Sequence, residues 1–216
     1  DIHIVGLNVD RKHSAFLANL AGQAQVRQDR AERIAEKLSK CGFEGVLERA
    51  QSLAGVGQVT RAHFARVLVN NYGVASMEAA FKKYLGKGKR AAVKADWPSI
   101  ESAIAWIHQA GGQAILAHPA HYDMTAKWLR RLVDLFATAG GDGIETAFPG
   151  INKSKQELIN ELAKSHDLLA SAGSDFHFPS RWTELGKNLG INSALTPVWH
   201  DWPYVSGAVN QSTPLA

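Results

Sequence analysis

The sequence predicts an α/β protein in which strands and helices alternate along a parallel sheet or barrel. After residue 97, short apolar runs alternate with segments of helical periodicity, and this alternation at short spacing is typical of parallel βα units. The predicted strands there are 113–117, 143–148 and 168–172, and the predicted helices are 98–110, 125–138 and 153–166. An earlier apolar run, residues 2–7, predicts a further buried strand.

Residues 10–90 contain helical patterns without an intervening strand. Thr60 and Ser76 are suitable helix N-caps, and Gly42 and Gly73 are suitable ends. The predicted helices are 14–40, 44–54, 61–72 and 76–85. Because strands are predicted on both sides of this segment, we interpret residues 10–90 as a helical insertion. The predicted βα domain then comprises residues 1–9 and 91–205, followed by a polar tail at 206–216.

Composition limits the cellular setting and the class of protein. The 216 residues are 45% hydrophobic, and no apolar run approaches the roughly 18 residues of a membrane span. No secretory signal is visible, and the single cysteine, Cys41, cannot form an internal disulfide, which favours the cytoplasm. The chain begins at Asp1, inside an apparent strand, so we expect it to be a fragment.

Positive charge is concentrated in the helical segment. Residues 10–95 hold 16 Lys or Arg against 7 Asp or Glu, whereas the rest of the chain holds 8 against 13. Such a basic region on a mildly acidic body is consistent with an anionic ligand, and equally with solvated helix faces.

Metal-binding side chains follow two of the predicted strands. His118 comes at the end of the run that starts at Ala114, and Asp175 and His177 follow the strand 168–172. Carboxyl ends of parallel strands meet at one edge of a sheet, where ligands bind. A lone histidine there is more often structural, but the Asp-x-His pair at a second strand end favours a metal site. His3, inside the first strand, is a further ligand candidate or a core residue.

A metal site beside a basic region indicates hydrolysis of a phosphate ester. The segment 60–66 opens a helix, whose free N–H groups favour an anion, and carries Arg61, His63 and Arg66. An ordinary basic first turn is the alternative. Residues 86–90 hold a second cationic cluster, either an exposed turn or a contact to a polynucleotide. Glu145 is predicted to end its strand and to orient a ligand or pair with a cation.

The remaining histidines and the tryptophans receive no functional assignment. His13, His108, His121, His166 and His200 have no partner pattern and are predicted to be surface residues. The six tryptophans are predicted to be packing residues, with base stacking by one of them as the alternative.

Taken in order, the motifs 2–7, 60–66, 110–119 and 173–177 resemble those of the PHP (polymerase and histidinol phosphatase) phosphoesterases. The branch they resemble contains nucleoside 3′,5′-bisphosphate phosphatases and the 5′-to-3′ exoribonuclease RNase AM. The resemblance spans residue 2 to about residue 202. It implies a distorted (β/α)7 barrel, incomplete here, with an all-helical inserted subdomain.

The resemblance also implies a site with up to three metal ions, usually manganese, although zinc or iron would suit the same side chains. It implies that the ligands include His3, His118, Asp175 and His177, and that Arg61 and His63 bind the substrate phosphate. The family's opening His-x-His motif, its following Asp and His, and a Glu just before the position of His3 do not occur in this chain. Ala62 stands where the family usually has proline.

We therefore expect a metal-dependent phosphoesterase that acts on nucleoside 3′,5′-bisphosphates or short 5′-phosphorylated RNA. A metal-bound hydroxide would be the nucleophile, so no catalytic side chain is predicted. A missing N-terminal segment of the same protein would supply further ligands, and this chain alone would be inactive. The alternatives are a non-catalytic RNA-binding module and a phosphatase of small non-nucleotide esters of the histidinol-phosphate type.

Overall fold

A computed structural model describes residues 2–176, 185–186 and 189–203 of the chain. The described residues belong to two compact units. One unit comprises the described parts of Asp1–Phe16 and Pro98–Ala216, and the other comprises Leu17–Trp97. We call them the sheet unit and the helical unit. The predicted tail at 206–216 lies outside the described residues.

The sheet unit is built on four strands, β1 (Ile4–Leu7), β2 (Gln113–Leu116), β3 (Gly143–Ala147) and β4 (Leu169–Ala172). They lie in the order β1-β2-β3-β4. Strands β2, β3 and β4 are parallel, as predicted, whereas β1 pairs with β2 in the antiparallel sense. The described strands form an open sheet, which is the incomplete barrel that the family resemblance implies.

A helix precedes each of the three parallel strands of the sheet unit. The connections contain α5 (Ile100–Gln109) before β2, α6 (Ala126–Thr138) before β3 and α7 (Lys153–Ser165) before β4. A short 3₁₀ turn, Pro119–His121, follows β2 and was not predicted. The apolar faces of these helices cover the sheet, with Phe136, Ile144 and Ile159 fully buried in one core. Because the helices cover the face of the sheet, the functional side chains are expected at the ends of the strands.

The helical unit contains α1 (Ser14–Ser39), most of which lies in this unit, α2 (Val46–Ala54), α3 (Arg61–Tyr72) and α4 (Met77–Ala80). A π-helical turn, Phe81–Leu85, continues α4. A second core holds the fully buried side chains of Leu38, Phe64, Leu68 and Leu85. The Ser76 hydroxyl accepts the backbone N–H of Ala79 at 3.0 Å, which is the predicted N-cap.

Two predictions about the strands need correction. The first strand is not a buried one: it lies at the sheet edge, is half-buried, and starts at Ile4, so that His3 precedes it and is exposed. Strand β3 continues to Ala147, so Glu145 lies within the strand and not at its end. Among the described residues, no helix combines the length and apolar character needed to cross a membrane.

The buried face of α6 allows a direct test of the core. Phe136 is fully buried and its neighbour Leu135 is 47% exposed. We expect Phe136→Ala to lower the free energy of unfolding by about 3–5 kcal/mol, because it removes buried apolar surface and leaves a cavity. Leu135→Ala should change it by less than about 0.5 kcal/mol. Urea unfolding measures both, and equal losses for the two variants would contradict this orientation of α6.

Candidate functional site

The two strand ends that carry the predicted ligands share an unusual backbone conformation. His118 lies two residues beyond β2 and has a φ of 31°, and Asp175 lies three residues beyond β4 and has a φ of 47°. Positive φ is uncommon for residues other than glycine and persists only where the surroundings enforce it. In the described chain four such residues occur, and two of them are predicted ligands. Both strand ends that carry predicted ligands therefore contain an uncommon backbone conformation.

The imidazoles of His3 and His118 meet at this edge of the sheet. His3 Nδ1 and His118 Nε2 lie 3.1 Å apart, with the ring planes nearly perpendicular. Strand pairing positions His3, because its carbonyl accepts the N–H of Ala117 at 3.1 Å, just beyond β2. Its own backbone N–H donates to the Tyr122 hydroxyl at 2.8 Å. Two histidines 115 positions apart are thus brought together by the β1–β2 pairing and the turn that follows it.

Glu145 holds the left-handed turn at His118. Its carboxylate accepts the backbone N–H of His118 at 2.5 Å. Burial raises the pKa of Glu145, and the hydrogen bond from His118 partly opposes that rise. A side chain on Gly173 would collide with this carboxylate, so the glycine leaves the space that Glu145 fills. Two roles were considered for Glu145, orienting a ligand residue and pairing with a cation. The geometry matches the first role, because Glu145 holds the backbone of the predicted ligand His118.

His121 also belongs to this cluster. It is exposed, as predicted, but it has partners that the sequence did not indicate. Its ring stacks on His118 with centroids 5.7 Å apart and contacts Phe148 edge-on. His121 Nδ1 lies 3.7 Å from Asp175 Oδ2. Burial and the neighbouring His118 lower the pKa of His121, which Asp175 partly opposes. A His-Pro-x-His pattern closing in a 3₁₀ turn was the signal in the sequence that could have revealed this residue.

The geometry fits a metal ion at the His3–His118 pair. Two nitrogens that bind one ion at right angles, each at about 2.1 Å, lie about 3 Å apart, close to the observed separation. His118 Nδ1 is buried without a hydrogen-bond partner among the described residues. Within the same residues, no three His, Cys, Asp or Glu side chains converge on a single point. The described donors therefore provide part of a ligand set, with Asp175 linked to it through His121.

The predicted ligands can now be placed. His3 and His118 are in contact, and Asp175 lies in the same cluster by way of His121. His177 lies outside the described residues. The side chains at this edge of the sheet are imidazoles and carboxylates, which together suit transition-metal ions.

In the helical unit, Arg61 lies in a cluster of cations that the sequence analysis did not identify. Arg27, Arg30 and Arg61 line a cavity of about 50 Å³ together with Thr60 and Trp97. The guanidinium of Arg27 lies 4.7 Å from the centre of the Trp97 ring, and that of Arg30 lies 5.9 Å from it. Burial lowers the pKa of Arg30, and the neighbouring Arg61 and Arg27 lower it further.

The arginine cluster has the properties of an anion site. None of the three guanidiniums is ion-paired with a carboxylate in the described chain, and the indole Nε1 of Trp97 is buried without a described hydrogen-bond partner. Like charges held together repel, so a bound anion would relieve a cost that the protein otherwise bears. A phosphate or carboxylate fits this chemistry because arginine binds both through paired hydrogen bonds.

His63 lies one turn into α3 and completes its N-cap. Its Nδ1 accepts the backbone N–H of Thr60 at 3.1 Å. In the neutral ring the proton is then on Nε2, which can donate to a ligand. Arg66 is exposed and is not among the residues that line the arginine cavity. Of the three predicted phosphate-binding side chains, the structure brings only Arg61 into the arginine cluster.

Similar proteins agree with this picture of the fold. The chain is 50% identical over 198 residues to a 5′-3′ exoribonuclease of Haemophilus influenzae, covering 92% of this chain and 72% of that protein. It is 37% identical over 198 residues to a 3′,5′-nucleoside bisphosphate phosphatase of Chromobacterium violaceum, covering 91% and 68%. No family model matches the chain.

A solved structure supports the same relationship. An amidohydrolase from Chromobacterium violaceum, with bound sulfate and no metal, superposes with a TM-score of 0.78 at 36% identity. The match covers 92% of this chain and 69% of that one. Fold and relatives together define a hydrolytic enzyme of the phosphoesterase class. Within that class, the chain belongs to the PHP family, in the branch of the 5′-3′ exoribonucleases and the nucleoside 3′,5′-bisphosphate phosphatases.

The role of Glu145 can be tested by two substitutions, one of which removes the acceptor oxygen and one of which keeps it. Glu145→Ala should lower the free energy of unfolding by about 1–3 kcal/mol, because the His118 N–H loses its acceptor. Glu145→Gln keeps an acceptor oxygen and removes the cost of burying a charge, so it should be close to neutral or stabilising. Denaturant unfolding at neutral pH compares them. Equal destabilisation by both would show that the hydrogen bond does not hold the turn.

Proposed function

We propose that the protein hydrolyses phosphate esters of nucleoside 3′,5′-bisphosphates or of short 5′-phosphorylated RNA in a metal-dependent reaction. The contact between His3 and His118, at the edge of the sheet where Asp175 also lies, is the observation that carries this proposal. The distance between His3 Nδ1 and His118 Nε2, 3.1 Å, is close to that between two nitrogens bound to one metal ion. The named relatives, an exoribonuclease and a bisphosphate phosphatase, indicate the substrate class.

His3, His118, Asp175 and, beyond the described residues, His177 would hold the metal. When bound, divalent metal ions supply Lewis acidity at the phosphoryl oxygens and lower the pKa of a coordinated water. We propose manganese, because hard carboxylate oxygen and imidazole nitrogen suit it, as they also suit zinc and iron. Further ligands from a preceding segment of the protein remain a prediction, as does a cytoplasmic location.

The described side chains have distinct parts in this proposal. Glu145 fixes the backbone of His118 and thereby the direction of the imidazole. His121 lies between His118 and Asp175, and its edge-on contact with Phe148 holds the ring there.

We assign terminal-phosphate binding to Arg61 and His63, and extend the assignment to Arg27 and Arg30. Three guanidiniums around one small cavity match the double negative charge of a phosphate monoester end. Nε2–H of His63 is available as a further donor, because Nδ1 is used in the helix cap. Arg66, predicted with them, is exposed and would contribute through long-range attraction.

A terminal-phosphate site separates this proposal from the two alternatives. A phosphatase of small esters needs only the phosphate that it removes, whereas the arginine cluster provides for a second one. Hydrolysis of adenosine 3′,5′-bisphosphate should therefore exceed that of a simple phosphomonoester. An RNA-binding module would hydrolyse neither, with or without added manganese.

The metal assignment predicts a joint loss of metal and activity. Asp175→Asn should remove manganese binding and abolish hydrolysis of adenosine 3′,5′-bisphosphate, because a carboxylate ligand is lost. Asp167→Asn is a matched control: Asp167 also has a positive φ, 52°, but precedes β4 and so lies at its other end. Elemental analysis and turnover measure both. Metal content unchanged in Asp175→Asn would contradict its role as a ligand.

The assignment of Arg61 to phosphate binding predicts weaker substrate binding without any loss of metal. Arg61→Gln should raise KM for the bisphosphate by about 10–100-fold, the equivalent of one charge-assisted hydrogen bond. Metal content should not change. Arg49→Gln, an exposed arginine on α2, should leave both unaffected. If Arg61→Gln left KM unchanged, the terminal phosphate would have to bind elsewhere.

A further inference from the structure

The segment after α4 carries positive charge that the proposed function does not use. Six cations occur between residues 82 and 94 without an acidic residue, and all six are exposed. We call them the basic strip: Lys82, Lys83, Lys87, Lys89, Arg90 and Lys94. None of them is ion-paired in the described chain. Two exposed cations of the sheet unit differ from them: Arg130 pairs with Glu161 at 3.0 Å and Lys153 with Glu157 at 3.9 Å.

The strip lies on an ordered support. Tyr84, Leu85 and Ala91 are buried in the core of the helical unit. The N–H of Ala91 donates to the Tyr84 carbonyl at 2.9 Å, and that of Lys89 to the Gly86 carbonyl at 3.0 Å. The strip begins in the π-helical turn, a rare element that is frequent at functional sites. The backbone that carries these cations is therefore fixed before any ligand binds, which lowers the entropic cost of binding.

The strip also starts beside the arginine cluster, within the same unit. The guanidinium of Arg61 lies 5.9 Å from the centre of the Phe81 ring, and Phe81 is the residue before Lys82. A ligand with one phosphate in the arginine cavity and further phosphates along the chain could thus contact both. No exposed large apolar side chain occurs in residues 81–94, so the strip lacks the apolar half of a membrane-binding surface.

We propose that the basic strip binds the phosphodiester backbone of single-stranded RNA, beyond the nucleotide whose phosphate occupies the arginine cluster. A row of unpaired cations next to a phosphate site is how proteins follow a single strand without reading its sequence. This inference rests on the proposed function and narrows it, because it makes oligonucleotides the preferred substrates. Mononucleotides would gain nothing from the strip.

The test compares two variants with the same change of net charge. In the strip variant, Lys82, Lys83, Lys87, Lys89 and Arg90 become Gln. In the control variant, Arg11, Lys12, Lys127, Lys153 and Lys164, all exposed, become Gln. Fluorescence anisotropy in the presence of a chelator measures binding of a labelled, 5′-phosphorylated RNA of about ten nucleotides. Salt is varied between about 0.1 and 1 M.

Each backbone contact contributes about −0.7 to the slope of log affinity against log salt for a single strand. If the strip makes three contacts, its variant should have a slope weaker by about 2, and about 100-fold lower affinity at 0.1 M salt. The control variant should bind RNA like the unaltered protein. An unchanged slope in the strip variant, or an equal loss in the control, would overturn the inference.

Hydrolysis of adenosine 3′,5′-bisphosphate with manganese, measured on the same three proteins, separates the two proposals. We expect it to be equal in all three, because the strip lies outside the groups that bind one nucleotide. Equal hydrolysis together with equal RNA binding would reject the strip and retain the phosphoesterase. Absence of hydrolysis in the unaltered protein would reject the proposed function, whatever the RNA measurements gave.

Discussion

The hydrogen bond from the His118 N–H to the Glu145 carboxylate is the interaction on which the candidate site depends. It links the turn after β2 to the middle of β3 and holds His118 in a left-handed conformation. From that conformation the chain continues into the 3₁₀ turn that contains His121 and is followed by Tyr122. Those two residues in turn contact Asp175 and the backbone of His3. A single carboxylate thus organises side chains from three separate parts of the sequence.

This arrangement has an electrostatic cost, which is characteristic of functional sites. Burial of Glu145 raises its pKa, and the lowered pKa of His121 keeps that ring neutral and able to accept a proton or a cation. The helical unit has the complementary feature of guanidiniums gathered without carboxylate partners around Trp97. In the described part of the chain, each unit therefore has polar groups without a partner of opposite charge. A metal cation would satisfy those of the sheet unit, and a phosphate would satisfy those of the helical unit.

Much of the fold could be predicted because periodicity and capping are local. Helix α3 begins at Arg61 and ends at Tyr72, as Thr60 and Gly73 predict, and the three parallel strands lie within a residue or so of their predicted bounds. The antiparallel direction of β1 could not be predicted, because four half-buried residues carry no directional signal. The π-helical turn was missed for a similar reason, since its sequence is that of an ordinary helix.

The candidate site could be predicted only where a side chain follows a strand. That rule found His118 and Asp175, and the family resemblance supported His3. Glu145 was placed correctly near the site, but its partner is a backbone N–H, which no residue pattern reveals. His121 was missed because it joins His118 and Asp175 through tertiary packing. Arg27, Arg30 and Trp97 were missed for the same reason, since folding of the helical unit brings them to Arg61.

The claim that His3 and His118 share a metal ion is open to one direct measurement. Crystals of the protein soaked in manganese, with diffraction recorded on both sides of the manganese absorption edge, locate any bound ion by its anomalous scattering. The account predicts a peak between His3 Nδ1 and His118 Nε2, about 2 Å from each nitrogen. A fully ordered pair of imidazoles with no peak between them, while manganese is present in the crystal, would contradict it.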